Sequence, residues 1–262
     1  MALEKSWWRR LRLRGPGPVL GTQEAAFRTV YDLFPHIEQG RQRQAFPDLL
    51  EEDFWQVVDR VRPYTMLTIE ALYELYQAVR YVSANHIDGD LVECGTFMGG
   101  AVFAAAEWSQ PAGRLPRRFF LYDTFGGFPE GTPPETDFGG SVVKMYPHPD
   151  FLAVARELVA RSSWPQERFV FVKGDVTDTL TETRPDRIAL LRLDTDAYAS
   201  TRVELEQLYP LLSPGGVMMI DDYGHFRGAR RATDEFLARL GSAPLMHRIS
   251  YSVRSGIKPG RT

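Results

Sequence analysis

The 262-residue chain has one cysteine, Cys94. That excludes an intramolecular disulfide and a cysteine-built zinc site, and it fits a reducing cytoplasm. No apolar run approaches the ~18 residues a membrane span needs. Net charge is only −3, which leaves no global field to draw nucleic acid or an anionic membrane surface. The dinucleotide pattern G-x-G-x-x-G is missing, and so is a Walker loop with its Lys-Ser/Thr end. Internal repeats and low-complexity tracts are also wanting. What is there is a chain 44% apolar, enough for a full core in one large α/β domain, alone or with an appendage.

The N-terminus departs from this neutrality. Residues 1–14 carry Lys5, Arg9, Arg10, Arg12 and Arg14 against Glu4, around Trp7 and Trp8. With no apolar h-region it does not read as a signal peptide. It reads as a loosely held arm or an oligomer contact, and alternatively as a weak surface anchor or a clamp for an acidic or lipid-bearing substrate. Gly15-Pro16-Gly17-Pro18 separates it from the rest. Residues 1–62 are expected to form an arm and helical region serving as substrate lid or subunit contact. Their aromatic content points to a homo-oligomer, a dimer first.

From Leu67 to Ala84 apolar residues recur at helical spacing, with Thr65 or Thr68 as N-cap. A strand–helix rhythm follows. Strands are expected at 91–94, 119–122, 169–172, 188–193 and 217–220, helices at 101–108, 151–160, 201–212 and 229–240, and a closing antiparallel pair within 245–258. Strands alternating with helices imply a doubly wound, mostly parallel sheet. The stretch Gly126–Pro149, rich in glycine, proline and aromatics, is too long for a plain connection and reads as a substrate lid.

Two apolar strands end abruptly in acid: Leu193-Asp194-Thr195-Asp196, and Ile220-Asp221-Asp222. In a doubly wound sheet these ends are neighbours, ~4.8 Å apart. Crowded carboxylates call for a positive charge among them, and a hard divalent cation is the simplest one. A helix-capping role for Asp196 or Asp222 competes. Asp196 and His225 are the candidates for general base; His36, His86, His148 and His247 read as surface or packing residues. Glu93-Cys94-Gly95-Thr96 closes the first strand, and an acid before the first glycine suits a cationic ligand better than a pyrophosphate. Asp123, ending the second strand, would accept a ribose diol. Asp175, ending the third, would accept an adenine amino group or else cap the turn after it.

Together Val92-Glu93-Cys94-Gly95-Thr96, Tyr122 to Pro129, Lys173-Gly174-Asp175-Val176, Leu193 to Tyr198 and Ile220-Asp221-Asp222-Tyr223 resemble the macrocin O-methyltransferase family. The likeness runs from about Tyr64 to Ile257. It implies a class I methyltransferase (Rossmann-like) fold over 63–262, with an antiparallel C-terminal strand, that moves a methyl group from S-adenosylmethionine to a deoxysugar hydroxyl with magnesium. By that resemblance Asp194, Asp221 and Asp222 hold Mg2+ and Asp196 is the base. Thr65, Met66, Glu93, Gly95, Thr96, Asp123, Thr124, Asp175 and Val176 line the S-adenosylmethionine site, and a glycoside is the substrate. Competing expectations are the same chemistry on a catechol-like phenol, a nucleotide-dependent oxidoreductase, and a binding module without chemistry.

Overall fold

The structure, a computed structural model, describes residues 43–109 and 117–260. The basic arm, the Gly-Pro hinge and His36 lie outside the described residues. In chain order the elements are α1 (Glu52–Val61), α2 (Ile69–Ala84), β1 (Asp90–Cys94), α3 (Gly100–Ser109), β2 (Phe119–Asp123), β3 (Glu135–Thr136), β4 (Val142–Val143), α4 (Leu152–Val159), β5 (Phe169–Lys173), α5 (Val176–Thr179), β6 (Ile188–Leu193), α6 (Tyr198–Leu208), β7 (Leu212–Ile220), α7 (Arg227–Leu237), β8 (His247–Arg248) and β9 (Arg254–Ile257).

Seven strands form one sheet in the order β5-β2-β1-β6-β7-β9-β8. The first five run parallel and β9 returns antiparallel to β7. Side chains alternate between faces, as a strand period of two requires. Leu91, Leu190, Val217 and Met219 enter a core shared with α1, α2, α3 and α4. Val92, Leu191, Leu193, Met218 and Ile220 enter a second core with α6 and α7. The strands are apolar on both sides because helices cover both faces.

The helix predicted over 67–84 starts at Ile69, and Thr68 rather than Thr65 caps it, its hydroxyl accepting from Ala71 N at 3.3 Å. Helix α3 is buried nearly all round and opens with Gly100 and Ala101. That lets the chain before α2 approach closely: a Cβ on Gly100 would stand 2.6 Å from Tyr64 O. The fifth strand starts at Leu212, earlier than the predicted Val217. Pro214, Gly215 and Gly216 read locally as a turn, but Gly215 N donates to Lys258 O (2.9 Å) and Lys258 N to Gly216 O (2.8 Å). The closing segment thus draws them into the sheet.

The segment 126–149 carries the hairpin β3–β4, is closed on itself by the bridge Gly127–Pro147 and is tied to the chain before α7 by the bridge Asp137–Phe226. Among the described residues no helix is long and apolar enough to cross a membrane.

Candidate active site

The turn after β1 is built on positive φ angles. Gly95 sits at φ +83° and Phe97 at +54°. A Cβ on Gly95 would lie 1.8 Å from Asp194 O, so only glycine lets β1 and β6 end side by side. Asp194 N donates to Cys94 O at 2.9 Å and Gly95 N to Tyr122 O at 2.9 Å. Three adjacent strands therefore finish in register, presenting Glu93, Asp194 and Asp123 at one edge.

Asp123 already has work to do. Its two oxygens accept from Phe97 N and Phe125 N, each at 2.6 Å. Burial raises its pKa and those amides pull it down. Oδ2, with Phe97 N as its donor, retains a second lone pair for a ligand hydroxyl. Thr96 is buried, and its hydroxyl donates to Tyr122 O at 3.4 Å; the Thr124 hydroxyl donates to Gly127 O. Asp175 caps α5, accepting from Thr177 N at 2.8 Å, with Val176 buried behind it. Thr65 is buried beside Gly100, its hydroxyl accepting from Leu67 N at 3.2 Å, and Met66 is 45% exposed.

The carboxylates from β6 and β7 meet as expected, since Leu193 pairs with Ile220. One oxygen from each of Asp194, Asp221 and Asp222 lies within 4.8 Å of the others. Three oxygen donors at that spacing suit a hard divalent cation. Burial pushes Asp194 well above the usual carboxylate range, although Arg192 opposes the shift. Asp222 is pushed up by burial and then by the charges of Asp196 and Asp221.

Asp196 reaches the cluster by a route the sequence did not disclose. Strand β6 stops at Leu193, and Asp196 sits at φ +62°, in the left-handed region that aspartate tolerates better than most residues. There its backbone N–H donates to Asp222 Oδ2 at 3.0 Å, and the two side chains are hydrogen-bonded to each other. Burial, offset by that bond from Asp222, lifts its pKa to about 7. His225 follows in the turn after Asp222, and its Nδ1 meets the Tyr251 hydroxyl at 3.2 Å.

Three charged residues at the site were not singled out from sequence. Arg192, with a side chain 2% exposed, donates Nη1 to Glu93 Oε1. Its Nη2 donates to both Asp194 Oδ2 (2.8 Å) and Asp221 Oδ1 (2.7 Å). A positive charge thus does sit among the carboxylates, and the chain supplies it. The signal was available: an arginine interrupting an apolar strand two residues before Asp194, hence on the same face. Glu93 keeps Oε2 buried without a partner, and burial, partly offset by Arg192, lifts its pKa to about 7. Glu204, fully buried on α6, accepts from the Thr195 hydroxyl at 2.9 Å and so braces the loop between Asp194 and Asp196. Glu135 of β3 accepts from Tyr198 N at 2.9 Å, and its other oxygen lies 2.3 Å from where a Cβ on Gly228 would be. Neither α6 nor α7 has a side-chain cap of its own. One carboxylate from the 126–149 segment therefore caps α6 and packs against the first turn of α7.

This sheet order, with acids gathered at the carboxyl ends of its parallel strands, defines a class I methyltransferase fold. The family model described as Macrocin-O-methyltransferase (TylF) matches residues 33–252, and the chain belongs to that family. It is 33% identical over 201 residues to the 8-demethyl-8-(2,3-dimethoxy-alpha-L-rhamnosyl)-tetracenomycin-C 4'-O-methyltransferase of Streptomyces olivaceus, covering 75% of this chain and 74% of that one. It is 32% identical over 185 residues to the demethyldecarbamoylnovobiocin O-methyltransferase of Streptomyces niveus, covering 69% and 70%. Among solved structures, that of the O-methyltransferase NovP superposes with a TM-score of 0.64 at 27% identity, over 78% of this chain and 88% of that one. The protein is an S-adenosylmethionine-dependent O-methyltransferase.

Proposed function

We propose that the protein is a magnesium-dependent sugar O-methyltransferase, methylating a deoxysugar hydroxyl on a glycosylated natural product of antibiotic biosynthesis. The observation that carries this reading is the meeting of Asp194, Asp221 and Asp222 oxygens within 4.8 Å. The substrate class is supported by the relatives, one named for a rhamnosyl tetracenomycin and another for mycinamicin III.

Asp194, Asp221 and Asp222 would hold the ion. Magnesium, when bound, supplies Lewis-acid chemistry that lowers the pKa of an acceptor hydroxyl. Asp196, joined to Asp222 through its backbone N–H, is the base that takes the acceptor's hydroxyl proton. On the donor side S-adenosylmethionine supplies the methyl group. Thr65, Met66, Gly95, Thr96, Asp123, Thr124, Asp175 and Val176 receive it. Glu93, the acid on β1 just before Cys94 and Gly95, is the counter-charge for its cationic amino group. What the protein adds to the transfer is alignment of acceptor and donor, which supplies much of the acceleration. The 126–149 segment serves as the substrate lid. The single buried thiol suits a cytoplasmic enzyme.

The test is turnover on a panel of glycosides and their catechol-bearing aglycones, in chelator and in magnesium. Glycosides are expected to turn over, with a loss of at least about 100-fold in chelator that magnesium restores. Asp194→Ala, Asp221→Ala and Asp222→Ala are expected to abolish the magnesium response while calorimetry still detects S-adenosylmethionine binding. Undiminished activity of all three variants in chelator removes the metal, and preference for aglycones removes the sugar.

A further inference from the structure

We propose that Arg192 is a resident counter-ion and positioning residue of the carboxylate pit, competing with a divalent cation for the charge of Asp194 and Asp221. The inference rests on the metal reading above and goes beyond it.

Arg192 joins three neighbouring strands with one side chain: Glu93 on β1 through Nη1, and Asp194 beyond β6 and Asp221 beyond β7 through Nη2. A planar guanidinium fixes the direction of every acceptor it bonds, which an ammonium does not. Its side chain is 2% exposed and that of Glu93 4%, whereas Asp194 and Asp221 retain 25% and 20%. The arginine therefore lies beneath the carboxylates and leaves their outer side open.

Stability alone does not account for it. A buried ion pair often does no better than apolar residues of the same volume. This one also strands two polar atoms, Arg192 Nε and Glu93 Oε2, with no hydrogen-bond partner. Both residues line a cavity of about 20 Å³ whose other walls include Leu75, Leu91, Phe119 and Leu190. An apolar pair would fill that space with fewer orphans. What only a cation does here is hold Asp194 and Asp221 apart from repulsion and in a fixed orientation.

The charge count sets the consequence. One guanidinium faces three carboxyls, Glu93, Asp194 and Asp221, so it cannot neutralise them all when they are ionised. That leaves charge for a divalent ion to take up, while Arg192 orders the cluster before the ion arrives. Removing Arg192 transfers the whole burden to the metal. Removing the charge of Glu93 leaves more of the arginine for the two aspartates and weakens the metal. The two changes shift affinity in opposite directions, and only the loss of Arg192 makes the stability of the fold depend on the metal.

The experiment uses the full chain with Mn2+ as probe, read by electron paramagnetic resonance, alongside thermal unfolding in chelator and in magnesium. For the wild type, Mn2+ binding and a small difference in Tm between the two conditions are expected. Arg192→Met is expected to lose Tm in chelator, to regain most of it in magnesium, and to bind Mn2+ at least threefold tighter. Glu93→Gln, which keeps the shape of the side chain, is expected to bind Mn2+ at least threefold weaker. Should Arg192→Met fail to fold, Glu93→Gln decides alone. A Tm loss in Arg192→Met that magnesium leaves untouched, or unchanged Mn2+ affinity in Glu93→Gln, overturns the proposal. A wild type that binds no Mn2+ overturns it together with the metal reading, whereas binding without these shifts overturns it alone.

Discussion

Gly95 lies so close to Asp194 that a Cβ on the glycine would fall 1.8 Å from the aspartate's carbonyl oxygen. The turn proposed for the methyl donor and the strand end proposed for the metal are thus in direct van der Waals contact. Gly95→Ala must also adopt φ +83°, where L residues are strained. The variant is expected to lose Tm by at least about 5 °C and to weaken both S-adenosylmethionine and Mn2+ binding. Calorimetry on each ligand checks this; loss of one affinity with the other intact would uncouple the two sites.

Two residues compete for the role of base, and their surroundings differ. Asp196 is joined to Asp222 by backbone and side chain, while the His225 ring meets the Tyr251 hydroxyl. Asp196→Asn preserves the N–H donated to Asp222. It is expected to lower kcat by about 10²–10³ with Mn2+ affinity nearly unchanged, and His225→Ala to cost less than about tenfold. The reverse ranking in steady-state kinetics would assign the base to His225.

Glu135 is the fastening of the 126–149 segment, bonded to Tyr198 N at the start of α6 and packed against Gly228 at the start of α7. Glu135→Ala is expected to destabilise by about 1 kcal/mol, as loss of a helix cap does. If the segment is the acceptor's lid, KM for the acceptor should rise at least fivefold while S-adenosylmethionine affinity holds. An equal loss for both substrates would mark Glu135 as a fold residue only.

Glu204 gives the protein a pH signature. Burial, only partly offset by the Thr195 hydrogen bond, lifts its pKa from 4.5 to about 8. The folded state therefore binds this proton more tightly than the unfolded chain. The stability it confers is complete below pH 4.5, declines as the unfolded chain ionises, and is gone above about 8. Glu204→Gln copies the protonated form and is expected to flatten that part of the urea-denaturation profile, leaving the variant more stable than wild type at pH 9. An unchanged slope would mean that Glu204 titrates normally.

The sheet was legible because its signals are local. Apolar runs such as Phe119–Tyr122 and Ile188–Leu193, cut by turn residues, give the strands and the edge where the acids gather. The meeting of Asp194 with Asp221 follows from adjacent strands ending together. What stayed hidden depends on contacts distant in sequence. Glu93 and Arg192 are 99 residues apart, and no spacing rule pairs them. Helix α6 begins at Tyr198 instead of Thr201 because its cap, Glu135, comes from 63 residues upstream. The strand ending at Leu193 gives no hint that Asp196 turns back by a positive φ. Local pattern therefore located the carboxylate cluster, and contacts distant in sequence arrange it.

Cys94, at the end of β1, is wholly buried, and burial holds its thiol well above the ordinary range. Thiol-directed reagents should pass it by under native conditions. A cysteine introduced at the exposed Val142 or Phe138 would then be the chain's single reactive handle. A fluorophore or spin label attached there could follow the hairpin's excursions directly, with no need to strip a native sulfur from the scaffold first.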